Sequence, residues 1–138
     1  MKPEEGFLPR GTHVLGDLHG ADPEMLADAA FLERAARQAA ELAGATVLSV
    51  NCHHFGAGLG VAGVVLLAES HLTFHTWPEH GFAALDAFMC GDCRPQLAIE
   101  WLSNALRAQS SVVRVIERGT APTSNKPVAQ EHFGNEVA

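Results

Sequence analysis

The chain has 138 residues, with 9 Lys plus Arg against 16 Asp plus Glu, and a formal net charge of −7 when its eight His are neutral. That length fits one domain with one core, and 47% hydrophobic against 18% charged residues is a globular rather than a disordered composition. An acidic chain without a basic cluster is a poor nucleic-acid binder, no apolar run nears a membrane span of roughly 20 residues, and no apolar stretch after Met1-Lys2-Pro3-Glu4-Glu5 marks a signal peptide.

Residues 1–10 are polar and proline-punctuated, which predicts a lead-in. Thr12–Leu18 alternates as a short strand. Asp22 is an N-cap, with Pro23 at the first helical position and Glu24 in the first turn. Apolar residues at Met25, Ala29, Leu32, Ala36, Ala39 and Ala43 predict one helix, ended by Gly44. Thr46–Phe55 is strand-like, Gly56–Gly60 is a loop, and Val61–Glu69 reads as a buried strand. Leu72–Trp77 alternates again, and Pro78–Gly81 is a turn. Phe82–Met89 is a strand, and Pro95 opens a second helix with Ala98, Trp101, Leu102 and Ala105 on one face. Ser111–Glu117 is the last strand, and residues 120–138 are expected to form a flexible tail.

Strands joined by short turns favour antiparallel pairing, and two helices can cover only one face. The expected fold is therefore an α/β two-layer sandwich, a mainly antiparallel sheet with two helices on one side. Its other face would be open, and an open apolar face predicts a homodimer.

Several patterns carry possible chemistry. Gly58, Gly60 and Gly63 spell G-x-G-x-x-G, but Val64-Val65-Leu66-Leu67 follows as a strand, where dinucleotide binding needs a helix. Cys90 and Cys93 form a C-x-x-C, with Cys52, His53 and His54 far off in the chain. A zinc module would need a second short-spaced ligand pair, and no thioredoxin-like context supports a redox pair. Three cysteines, an odd number, point to reduced thiols and a cytoplasmic setting. The densest segment is Ala68–Glu79, with one Ser, two His and two Glu. Strand alternation puts His71, Thr73 and His75 on one face and Leu72 and Phe74 on the other. No nucleophile elbow precedes Ser70, so a hydrolase triad is not indicated.

The string AESHLTFHTWPEHGFAALDAFMCGD (Ala68–Asp92) closely resembles the prokaryotic S-adenosylmethionine decarboxylase proenzymes. The resemblance runs from about Gly11 to Gly119, through GTHVLGDLHGAD (Gly11–Asp22) and GATVLSVNCHHF (Gly44–Phe55). It implies a single decarboxylase domain over residues 11–119 with the same sandwich fold, as a homodimer. It also implies that the cofactor is made from the chain. Ser70 would attack the Glu69 carbonyl, and the bond between them would break into a β chain ending at Glu69 and an α chain. The α chain would begin with a pyruvoyl group derived from Ser70, whose carbonyl forms a Schiff base with the substrate amine. By the same match His75 assists cleavage and Cys90 is the proton donor, a role suited to a thiol, which is mostly protonated near neutrality. Phe55 and Glu79 match substrate-binding positions, for adenine and ribose respectively. No metal is implied. One departure is Val61-Ala62-Gly63, where the family often carries a hydroxyl residue that helps processing. The leading expectation is decarboxylation of S-adenosylmethionine for spermidine synthesis. The alternatives are a pyruvoyl-dependent arginine or ornithine decarboxylase, an uncleaved non-catalytic homologue, and a zinc module built on Cys52, Cys90 and Cys93.

Overall fold

Six strands make one sheet in the computed structural model, which describes residues 9–119. The expected tail and all but the last two residues of the lead-in lie outside them. The strands are β1 (Gly11–His19), β2 (Val47–His54), β3 (Val61–Leu67), β4 (Ser70–Trp77), β5 (Phe82–Met89) and β6 (Ser110–Arg118). Their order across the sheet is β2-β3-β4-β5-β1-β6, and every pairing is antiparallel. Three hairpins therefore build β2 to β5 in sequence, and β1 inserts between β5 and β6.

The expected helix over 22–44 is two helices. Asp22 caps α1 (Pro23–Leu26), its Oδ1 accepting from the Glu24 and Met25 N–H groups. Asp28 then caps α2 (Ala29–Leu42) by accepting from the Phe31 N–H. A second N-cap so soon after the first stops α1 and restarts the helix, although the apolar stripe runs through both. Helix α3 (Pro95–Ala105) has its proline in the first turn, and Pro78–His80 forms a short 3-10 turn.

One face of the sheet is sealed by α2 and α3. Val14, Leu18, Val61, Val65, Leu72, Ala83, Leu85 and Met89 pack there against Leu32, Ala36, Ala39, Ala98, Ile99 and Leu102. Gly16 matters to this layer, because a Cβ there would collide with the Ile99 side chain. Buried Thr76 ties α1 to the sheet. Its hydroxyl donates to the Leu26 carbonyl at 2.6 Å and accepts from the Val61 N–H at 2.9 Å.

No helix covers the opposite face among the described residues. It carries His71, Thr73, His75 and Trp77 from β4, as the alternation predicts, with none of them buried. Val64, Leu66, Val112 and Ile116 are each between 43% and 50% exposed, and their register with Thr73, His71, Asp17 and His13 places them on this same face.

Candidate active site

The β3–β4 hairpin pairs Leu67 with Ser70, so Ala68 and Glu69 form its turn. This corner is held from three sides. The Glu69 carboxylate accepts from the Thr46 N–H at 2.9 Å and the Thr46 hydroxyl at 3.2 Å. The Ala68 N–H donates to the Thr46 carbonyl at 3.0 Å. The Glu69 carbonyl oxygen accepts from the Cys90 backbone N–H at 3.1 Å. Register explains the last contact, since Ser70 lies opposite Met89 and Cys90 is the next residue. Ser70 itself has φ 141°, a conformation L-residues rarely adopt and one that stores about 1–3 kcal/mol. The Glu69–Ser70 peptide is thus strained, clamped, and supplied with one donor at its carbonyl oxygen.

A polar network leads away from this corner across the open face. Ser70 Oγ lies 3.1 Å from His71 Nδ1. His71 Nε2 lies 3.2 Å from Asp86 Oδ1, which also meets His13 Nε2 at 2.9 Å. The Thr73 hydroxyl donates to the other Asp86 oxygen. Arg118 Nη1 donates to His13 Nδ1 at 3.3 Å, and its guanidinium stands over the Phe88 ring.

The other end of β4 forms an open cleft of about 230 Å³ lined by Phe55, Leu59, Gly60, His75, Trp77 and Glu79. Three rings stack in order. His75 lies between Trp77, at 3.8 Å between centroids, and Phe55, at 5.6 Å. Gly60 allows the chain to close over this end, because a Cβ there would run into the Thr76 carbonyl. His75 stands five residues from Ser70, about 16 Å along a strand. Within one chain the expected residues therefore fall into two groups, with Glu69, Ser70 and Cys90 at one end and Phe55, His75 and Glu79 at the other.

Comparison with known proteins decides what this arrangement belongs to. A family model described as S-adenosylmethionine decarboxylase matches residues 12–119. The chain belongs to the S-adenosylmethionine decarboxylase family. An S-adenosylmethionine decarboxylase proenzyme of Thermodesulfovibrio yellowstonii is 41% identical over 92% of this chain and 94% of its own length. Proenzymes of the same name from Bacillus velezensis and Parasynechococcus marenigrum are 42% and 44% identical, over 84% and 86% of this chain and 91% and 95% of their own lengths. The crystal structure of the adenosylmethionine decarboxylase from Aquifex aeolicus superposes with a TM-score of 0.76 at 32% identity, covering 86% of this chain and 98% of that one. The expected fold class stands.

Against the family frame, the residues missed in the sequence are those that act through long-range pairing. Thr46 precedes a strand and carries no local signal for its hold on Glu69. Asp86 and His13 each sit singly in a strand and meet only because β1 and β5 are neighbours. Asp86 could have been noticed as the one charge in Phe82–Met89, on the unburied side of an alternating strand.

The glycine and cysteine motifs also have structural places. Gly60 precedes β3 and Gly63 lies within it, so no helix N-terminus follows the G-x-G-x-x-G. The cysteines do not converge as a ligand set. Cys52 is exposed on β2, and the one group of metal-ligating type among the described residues is His13, His71 and Asp86. Cys93 points its thiol at the Gly44 carbonyl, 3.5 Å away. Burial, and then the charges of Glu69 and Asp92, push the Cys93 thiol up, which favours its protonated form.

Proposed function

We propose that this chain is a proenzyme that cleaves itself between Glu69 and Ser70 and then decarboxylates S-adenosylmethionine, providing the aminopropyl donor for spermidine. The observation that carries this reading is the Glu69–Ser70 corner. A nucleophilic hydroxyl adjoins a strained peptide whose carbonyl oxygen already accepts from the Cys90 N–H. That donor is placed to stabilise the oxyanion formed on attack. Ser70 thereby fits the precursor of a pyruvoyl group, and cleavage would leave a β chain of residues 1–69 and an α chain of residues 70–138.

A pyruvoyl carbonyl supplies an electron sink for the carbanion left by departing carbon dioxide. The remaining roles fall to side chains of this protein. Cys90 Sγ–H donates the proton that replaces the lost carboxylate. Its place beside Ser70 supports the role. The Phe55 ring offers a face to adenine, and an aromatic face also tolerates a sulfonium. The exposed Glu79 carboxylate beside it suits the ribose hydroxyls.

The division of these residues between two ends of β4 favours a symmetric homodimer. The cleft at Phe55, about 230 Å³, is smaller than the roughly 300–1,000 Å³ of a typical small-molecule site. Stacking two open faces about a two-fold axis that runs across the strands reverses their direction. Each Ser70 end then lies over the Phe55, His75 and Glu79 end of the second copy. His75 would assist cleavage, and Phe55 and Glu79 would bind substrate, across that interface.

Arginine and ornithine are not favoured as substrates, because the family and the relatives carry the S-adenosylmethionine name. The test is carbon dioxide release from each of the three compounds by the processed protein. Release from S-adenosylmethionine alone is expected. Release from arginine or ornithine alone would overturn the assignment.

A further inference from the structure

Of the two thiols in the C-x-x-C, decarboxylation uses only that of Cys90. We propose that Cys90 and Cys93 together are a reversible oxidation site. A peroxide closes them to a disulfide, and decarboxylation stops for want of its proton donor. The consequence for turnover rests on the reading of Cys90 as that donor; the pairing of the thiols does not.

Gly91 and Asp92 are the middle of a turn between β5 and α3, with the two cysteines at its ends. Gly91 has φ 68°, which glycine adopts at no steric cost and which lets the chain reverse there. The ends of a four-residue turn lie within about 7 Å of one another, Cα to Cα. A disulfide joins Cα atoms about 4.4–6.8 Å apart, so the turn brings the pair into range. Backbone bonds fix both ends. The Cys90 N–H donates to the Glu69 carbonyl at 3.1 Å, and the Arg94 N–H donates to the Ala43 carbonyl at 2.8 Å. Both thiols are free and half-buried. Burial and neighbouring charges, that of Cys90 among them, push the Cys93 thiol up, so the two groups act on each other across the turn. To close the bond, Cys93 Sγ gives up only the Gly44 carbonyl at 3.5 Å, a weak contact for an S–H donor.

This is not a thioredoxin-type centre. Such a pair opens a helix, and the helix start activates its first thiol. Here α3 begins at Pro95, beyond both cysteines. The pair is therefore a target of oxidation rather than a catalyst of it. Gly91 and Asp92 are exposed, which gives a small oxidant a way in from solvent. Cleavage after Glu69 leaves Cys52 in the β chain, so Cys90 and Cys93 are the only cysteines of residues 70–138.

The step balances with one peroxide. The Cys90 sulfur attacks a peroxide oxygen, the O–O bond breaks, and a sulfenic acid and one water result. The Cys93 sulfur then attacks the Cys90 sulfur, the S–O bond breaks, and the hydroxyl leaves with the Cys93 proton as a second water. Two thiols have lost two electrons and two protons, and the peroxide has become two waters. The Cys90 backbone N–H is untouched, so its bond to the Glu69 carbonyl remains. Its sulfur no longer has a proton to give. A small dithiol reverses the change by thiol–disulfide exchange, becoming a disulfide itself.

The experiment treats the processed protein with a slight molar excess of hydrogen peroxide and follows turnover, free thiols and α-chain mass. The α chain should become lighter by the mass of two hydrogens, and neither of its thiols should remain titratable. Turnover of the fully oxidised fraction should fall by about 10²-fold or more, the scale of losing a positioned proton donor. Dithiothreitol should restore mass, thiols and turnover together. Cys93→Ser, with Cys93→Ala beside it in case serine perturbs folding, should turn over like the native protein before treatment. After treatment its α chain should not lose the two hydrogens. Two surviving thiols in the native α chain, or a disulfide to Cys52 instead, would overturn the pairing and leave the part of Cys90 in turnover standing. A Cys90–Cys93 disulfide at full turnover would overturn the switch through that part, because the proton would then come from another group.

Discussion

Ser70→Ala is expected to give a folded chain that stays in one piece. The substitution removes the hydroxyl that adjoins the clamped Glu69 carbonyl, and it removes nothing from the core. Ser70 is only partly buried, and among the described residues its hydroxyl makes one side-chain hydrogen bond, to His71. Denatured mass after prolonged incubation should show one species, circular dichroism should match the native protein, and decarboxylation should be absent. Two chains from this variant would remove Ser70 as the nucleophile.

Cys90→Ala is expected to separate the two reactions. The Cys90 backbone N–H, not its thiol, reaches the Glu69 carbonyl, and alanine retains that N–H. Cleavage should therefore proceed, within a fewfold of the native rate. Turnover of the cleaved protein should fall by about 10²–10⁴-fold, the range for losing a positioned proton donor. Single-turnover measurement on fully processed protein isolates the effect. An unchanged turnover would mean that another group supplies the proton.

Local pattern made much of the fold legible. Strand β5 has the expected bounds and helix α3 the expected start, because strict alternation specifies Phe82–Met89 and a proline at the first helical position specifies Pro95. Alternation likewise placed His71, Thr73 and His75 on one face. The break between α1 and α2 was not legible, because the apolar stripe continues across it and only the cap at Asp28 interrupts the helix. The insertion of β1 between β5 and β6 was also out of reach. Strand order is set by contacts about 70 to 100 residues apart in the chain, which local hydrophobic period does not encode.

The site divides the same way. A long motif made the scissile bond and its neighbours recognisable as a resemblance. It assigned roles without distances, so it grouped His75 with Ser70 although about 16 Å of strand separates them in one chain. The contacts that hold the bond come from elsewhere, namely Thr46 before β2 and the Cys90 N–H after β5. None of these has a sequence signature, because each depends on sheet order and register.

The central claim is that this chain is a proenzyme that becomes two chains at Glu69–Ser70. Intact-mass analysis of the purified, incubated native protein tests it most directly. The expected result is two species, residues 1–69 and residues 70–138, the second with the mass of a pyruvoyl N-terminus in place of serine and therefore no free α-amine. A single uncleaved chain, or a cut at any other bond, would contradict it.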